Sequence, residues 1–155
     1  MKYLDKKWYL ECQKSAGDKN RIKAAITALN EAEIKHRIPE NLKRDLCFHD
    51  GKVISEETVR SEAEPVFSGC DYILRINSPL NPHSVVIFRD ALVKSERSPE
   101  SAEWLYEEIY RHKSGNGYEI HILFISYSGC DRHPREVLPS DLIEMKVICQ
   151  DVAFG

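Results

Sequence analysis

Gly117-Tyr118-Glu119-Ile120-His121-Ile122-Leu123-Phe124-Ile125-Ser126 is the most strongly β-forming run of the chain, and its reading decides the fold. Aromatic and β-branched residues suit a pleated, half-buried surface. The first half alternates: Glu119 and His121 share one face, and Tyr118, Ile120 and Ile122 share the other. From Ile122 to Ile125 both faces are apolar. That end is expected to be central and covered on both sides, and the Glu119/His121 end to be less buried.

Just upstream, Lys113-Ser114-Gly115-Asn116-Gly117 contains Asn-Gly, the strongest short-range hairpin signal. The segment before it, Trp104 to Arg111, fits a helical face through Trp104, Leu105, Glu108 and Ile109. It fits a strand face equally, through Trp104, Tyr106 and Tyr110. The hairpin loop breaks the tie toward an antiparallel strand paired with Tyr118–Ser126. A turn over 99–102 precedes it.

Downstream, Tyr127 to Ser140 reads as a long loop. Ile143, Met145, Val147 and Cys149 then alternate in a final strand over Leu142–Asp151. Upstream, Cys70, Tyr72, Leu74 and Ile76 mark a half-buried strand. Two prolines and two asparagines between Asn77 and Pro82 force a turn. Val85–Arg89 returns as a strand, with a short break at Asp90-Ala91 before Leu92–Ser95. Lys52–Arg60 is a weaker strand after the Asp50-Gly51 turn.

The first third has helical period. Leu4, Trp8 and Cys12 lie four apart, with Asp5 as a first-turn cap. Asp18 caps a second helix whose Ile22, Ile26 and Leu29 form a stripe widened by Ala25, Ala28 and Ala32. Pro39 stops it, and Leu42 and Leu46 suit a short helical turn. Helices followed by hairpin-connected strands indicate the α+β class: N-terminal helices over 1–46, then a mainly antiparallel sheet of about six strands over 48–155 in one domain. The Ile22/Ile26/Leu29 stripe is expected to cover one face of that sheet.

The 155 residues suffice for a core, and 42% hydrophobic with 30% charged residues is ordinary for a globular protein. A net charge of −3 leaves no basic footprint for nucleic acid. The start, Met1-Lys2-Tyr3-Leu4-Asp5-Lys6-Lys7, is followed by no apolar segment, and no run is long enough to span a bilayer. An odd count of five cysteines without C-x-x-C suits reduced thiols. A cytoplasmic location with no membrane and no nucleic-acid partner is the expectation. No phosphate loop, G-x-S-x-G, H-E-x-x-H or EF-hand occurs, so no cofactor and no metal is expected. Cys130-x-x-His133 offers half a zinc site, with no second pair to complete it.

Two constellations remain. His49-Asp50 and Glu119/His121 each join an imidazole to a carboxylate, and a meeting of the two would make an acid–base or metal-binding cluster. A solvated strand face and a turn residue account for the same letters. Trp104, Tyr106 and Glu108, with Glu103, Glu107 and Glu119 nearby, suit an acidic, aromatic surface for a protein partner, or equally a packed core.

Several segments carry a resemblance. Tyr3-Leu4-Asp5-Lys6-Lys7-Trp8-Tyr9-Leu10-Glu11-Cys12-Gln13, Phe48-His49-Asp50 with Val53-Ile54, Trp104–Tyr110 with Gly117–His121, and Val147–Val152 occur in the order of a family that the chain resembles. That family comprises small bacterial proteins, mainly from Firmicutes, defined as a domain of unknown function. The resemblance implies a bacterial, cytosolic protein and brings no established activity. The Phe-His-Asp opening also resembles small immunity-type proteins that neutralise toxins. Three readings follow. The first is a non-enzymatic interaction module, immunity-like in kind, binding through a sheet edge or the acidic aromatic surface. The second is a small hydrolase or metal-dependent enzyme using His49, Asp50, Glu119 and His121. The third is a homodimer built through an edge strand.

Overall fold

The computed structural model describes residues 1–14, 19–127 and 137–155. Among the described residues three helices come first: α1 (Lys6–Lys14), α2 (Lys19–Lys35) and α3 (Glu40–Leu46). Eight strands follow: β1 (Lys52–Arg60), β2 (Cys70–Asn77), β3 (Val85–Arg89), β4 (Leu92–Ser95), β5 (Glu103–Arg111), β6 (Tyr118–Ile125), β7 (Leu142–Cys149) and β8 (Asp151–Phe154). The α+β class with an antiparallel sheet holds, but the sheet has eight strands rather than about six. The physical reason is two interruptions. Asp90 at φ 48° separates β3 from β4, and Gln150 separates β7 from β8.

Those interruptions do not break the ladder. β3 pairs with β8 (Arg89 opposite Asp151) and β4 with β7 (Leu92 opposite Ile148), so one register runs through both breaks. β3–β4 and β7–β8 are therefore two long passes lying along each other. The sheet order β4-β7-β6-β5-β1-β2-β3-β8 thus returns to its starting pass and closes into a barrel. The closing seam is narrow. β1 meets β5 at Lys52 opposite Glu103, with backbone bonds from Val53 N to Ala102 O (2.8 Å) and Trp104 N to Gly51 O (2.8 Å).

Closure explains the packing. The inward positions of the strands make one apolar cluster that includes Tyr72, Leu74, Phe88, Trp104, Ile120, Ile122, Phe124, Met145 and Val147. Ile38, Leu42 and Leu46, from α3 and its approach, add to it. Each such side chain fully buried is worth roughly 1.5–3 kcal/mol. A second cluster lies outside the barrel wall, where Leu105, Leu123, Ile125 and Leu142 meet Tyr9 and Leu10 of α1. Coverage on both faces is why Ile122–Ile125 is apolar throughout.

The expected α2 stripe fails for the same reason. The barrel is filled by its own strands with Ile38, Leu42 and Leu46, and its outer apolar patch is taken by α1, which leaves the α2 stripe without an apolar face to cover. Leu29 is buried, but Ile26 is 42% exposed. α2 instead lies against β5 and ends where Arg37 adopts φ 54° and Ile38 N bonds to Glu33 O (3.0 Å).

The β5–β6 hairpin forms as its turn chemistry requires. Gly117 has φ 72°, and a Cβ there would sit 2.0 Å from the Cys149 carbonyl oxygen, so only glycine fits. A bulge between Trp104 and Tyr106 shifts the register. It puts Trp104 inside and Tyr106 outside, not on the shared face that plain alternation suggests.

Candidate functional site

The outer face of the β5–β6–β7 wall carries most of the residues singled out in the sequence. Glu119 and His121 share that face, as strand alternation dictates. His121 Nε2 lies 2.8 Å from Glu119 Oε1, and Lys146 Nζ of β7 donates to the same oxygen at 3.0 Å. Burial pushes the Glu119 carboxyl up, but the His121 and Lys146 hydrogen bonds outweigh it and leave it below the ordinary carboxylate range. Burial holds His121 below the usual imidazole value, partly offset by Glu119. The pair at neutral pH is therefore a carboxylate and a neutral imidazole. With the proton on Nε2 facing the carboxylate, Nδ1 keeps the lone pair. Such an imidazole can act as a proton acceptor or bind a polar group.

Two clefts of about 300 and 280 Å³ flank this pair. Lys94, Glu96, Glu144 and Lys146 line the first with His121, and His36, Tyr110 and Glu119 line the second with His121. The N-terminal segment runs between them. It is held by Glu108, whose carboxylate accepts Lys2 N (2.7 Å), Tyr3 N (2.8 Å), Leu4 N (2.6 Å) and the Tyr110 hydroxyl (2.7 Å). Asp5 caps α1 as expected, its Oδ1 accepting Trp8 N at 2.8 Å.

His49 and Asp50 lie elsewhere. His49 Nδ1 is 3.1 Å from Asp50 Oδ2, and the imidazole edge packs on Tyr106 with centroids 5.4 Å apart. His121 packs instead on Tyr110, at 5.8 Å. Tyr106 and Tyr110 are four residues apart on β5, roughly 13 Å. Among the described residues no hydrogen bond or ion pair joins the two pairs, and no group of three or more His, Cys, Asp or Glu could hold a metal ion. Each pair forms locally; the four-residue cluster does not.

The expected acidic aromatic surface is not there. Trp104 is 0% exposed, wedged between Phe48 and Phe124 inside the barrel, with its indole N–H donating to Glu107 (2.7 Å). Glu108 is also 0% exposed, beneath the N-terminal segment. Tyr106 is half-buried under Trp8 and Tyr9 of α1. The bulge and the N-terminal segment together remove this surface from solvent. Cys130 and His133 lie outside the described residues.

Three features take a place that the sequence pattern did not give them. One is Glu107, on the inward face opposite Ile122. Burial, reinforced by Glu33, pushes its carboxyl up to about 7, against the hydrogen bonds from Trp104 and Cys47. Glu33 itself is buried, with Lys43 Nζ at 3.2 Å. Another is Asp90, whose carboxylate collects four backbone N–H groups from Val66 to Gly69. A polar residue at an apolar-periodic strand position was the available signal for Glu107. For Asp90 it was only the expected break.

The last is an open edge. The β1–β2 register, with Ser61 N bonded to Gly69 O (2.9 Å), turns Ser55, Glu57 and Val59 toward β2. In an antiparallel ladder, alternate residues bond to opposite sides. The N–H and C=O groups of Glu56, Thr58 and Arg60 therefore point away from β2. Among the described residues β1 has no strand partner there, because β5 starts at Glu103 and runs the other way. Thr58 and Arg60 are exposed, as are Ile54 and Val59.

No family model, curated protein or solved structure matches this chain. No helix among the described residues is long and apolar enough to cross a membrane.

Proposed function

We propose that this chain is a non-enzymatic protein-interaction module whose binding element is the open edge of β1. The observation that carries this reading is the row of outward backbone groups at Glu56, Thr58 and Arg60, with no described strand beside them. An extended segment laid along such an edge completes its hydrogen bonds, which is how strand addition binds peptides and proteins. Neighbouring Ile54 and Val59, 52% and 40% exposed, supply apolar contact on the same strand. Proteins that keep an edge free of partners shorten it or place Pro or Lys along it. β4 fits that description with four residues and Lys94, whereas β1 has nine residues and its only lysine is the first.

The enzyme reading draws on the Glu119–His121 pair alone. Its other half, His49 and Asp50, sits against a different tyrosine, so the acid–base cluster it needs is not assembled. A toxin is one partner class that the immunity-type resemblance suggests, and strand addition is compatible with it.

The test is a proline at Thr58. That N–H faces away from β2, so Thr58→Pro removes no ladder bond from the barrel while blocking an incoming strand. Hydrogen exchange over residues 55–61 should slow when the protein meets its partner from native cells, and Thr58→Pro should lose both the partner and the protection. Equal capture by the variant, or protection confined to another strand, would overturn the assignment.

A further inference from the structure

The charge order along β1 identifies a partner for its open edge. Resting on the strand-addition reading above, we infer that the occupant is a second copy of this chain, paired β1 to β1 about a two-fold axis through Thr58. A strand that pairs antiparallel with its own copy must bring its outward-bonding residues opposite one another. For β1 those residues are Glu56, Thr58 and Arg60. Five registers bring them together, and their charges differ.

A two-fold axis at Glu56 sets that carboxylate against its own copy and Lys52 against Arg60. An axis at Glu57 sets Glu57 against Glu57. An axis at Val59 brings Glu56 opposite Glu62, just past the strand, and an axis at Arg60 sets that guanidinium against its own copy. Only the axis at Thr58 brings no like charges together. There Glu56 faces Arg60 of the second copy, Arg60 faces its Glu56, and Thr58 faces Thr58. Opposite charges across a strand pair stabilise it and like charges oppose it, so sequence and geometry agree on one register.

The pairing also answers what β1 lacks. Past Val53 its inward positions, Glu56, Thr58 and Arg60, are polar, so it is not anchored by the core as β2 is. Glu56 accepts the Tyr72 hydroxyl of β2 on that same face. The tip loop does not obstruct an incoming strand. Residues 66–69 are tied back to Asp90, on the far side of β2 from the open edge. About six backbone hydrogen bonds become available across the three opposed residue pairs, by the alternation of the ladder.

Sedimentation velocity over a concentration series tests this with charge reversals. The wild type should pass from monomer to dimer as concentration rises. Arg60→Glu and Glu56→Arg alone should each weaken the dimer at least tenfold, because each sets like charges against each other at both ends. An equimolar mixture of the two variants should restore it. In the mixed dimer the introduced arginine of one chain meets the introduced glutamate of the other, and the remaining native Glu56 meets the remaining native Arg60. Glu56→Arg also removes the acceptor of the Tyr72 hydroxyl. Arg60→Glu replaces an exposed side chain and is the deciding variant if the first unfolds.

A wild type that stays monomeric throughout overturns the inference. So does a dimer indifferent to Arg60→Glu or to Thr58→Pro. The edge reading fails separately, when residues 55–61 gain no protection from any partner. A monomer that still protects 55–61 on binding another protein would sink only the self-pairing.

Discussion

Asp90, fully buried, and Glu107, partly buried, are held in opposite ways. Asp90 receives Val66 N (2.6 Å), Phe67 N (2.8 Å), Ser68 N (2.8 Å) and Gly69 N (2.5 Å), together with the Gln150 amide (2.7 Å). Burial pushes its carboxyl up, but these donors outweigh burial and leave it well below the ordinary range. Glu107 has one indole N–H at 2.7 Å, a thiol neighbour and another carboxylate in Glu33. Burial wins there, and the carboxyl rises to about 7. The depth of an acid does not decide its charge; the supply of donors does. Asp90 ties a loop to the barrel as an anion, whereas Glu107 lies partly buried on the inward face with its carboxyl raised to about 7.

The largest way to break the contrast is Asp90→Ala. It strands four backbone N–H groups and frees the 66–69 loop. The expected loss is about 3 kcal/mol in denaturant unfolding, with fast amide exchange at Val66–Gly69. A loss below about 1 kcal/mol would mean that the loop holds itself. Glu108 is, like Asp90, a hub of donors: three backbone N–H groups and a hydroxyl converge on it. Glu108→Ala is expected to cost about 2 kcal/mol in unfolding free energy and to expose Lys2 and Lys6 to trypsin in a timed digestion. An unchanged digestion pattern would show that the N-terminal segment is held without it.

Glu107→Gln should act in the other direction. Between about pH 4.5, where the unfolded carboxyl titrates, and pH 7, the folded chain keeps a proton that the unfolded chain has released. Stability therefore falls as pH rises through that window. The amide keeps an acceptor for Trp104 and carries no charge. Discounted for partial exposure, the variant should gain on the order of 1–2 kcal/mol above pH 7 and lose most of the slope. A wild-type stability that is flat from pH 4.5 to 7 would remove this account.

The smallest effect belongs to His121→Ala. Its partner Glu119 keeps Lys146, so the expected change is under about 1 kcal/mol by thermal unfolding. A much larger loss would make the pair structural.

Glu107 and Glu108 are neighbours on opposite faces of one strand. Strand alternation sends one in and one out, but the bulge at Trp104/Tyr106 decides which. Read without the bulge, Trp104 and Tyr106 share a face and Glu108 joins an acidic surface. The hairpin itself was legible, because Asn116-Gly117 and the Tyr118–Ile122 alternation act over a few residues. The same locality accounts for the Asp5 cap and for the Glu119–His121 pair, two residues apart on one strand.

The local chemistry of the sequence determined the Asp5 cap of α1, the β5–β6 turn and the side-by-side placement of Glu119 and His121. Each depends on neighbours along the chain. The expected Asp18 cap lies outside the described residues. Tertiary structure alone decided that β3–β4 and β7–β8 lie along each other and close the sheet. It also decided that Glu108 is roofed by the distant N-terminal segment, and that β1 is left with an open edge. These depend on which strand lies beside which, and that is set by burial summed over the whole barrel rather than by any short stretch.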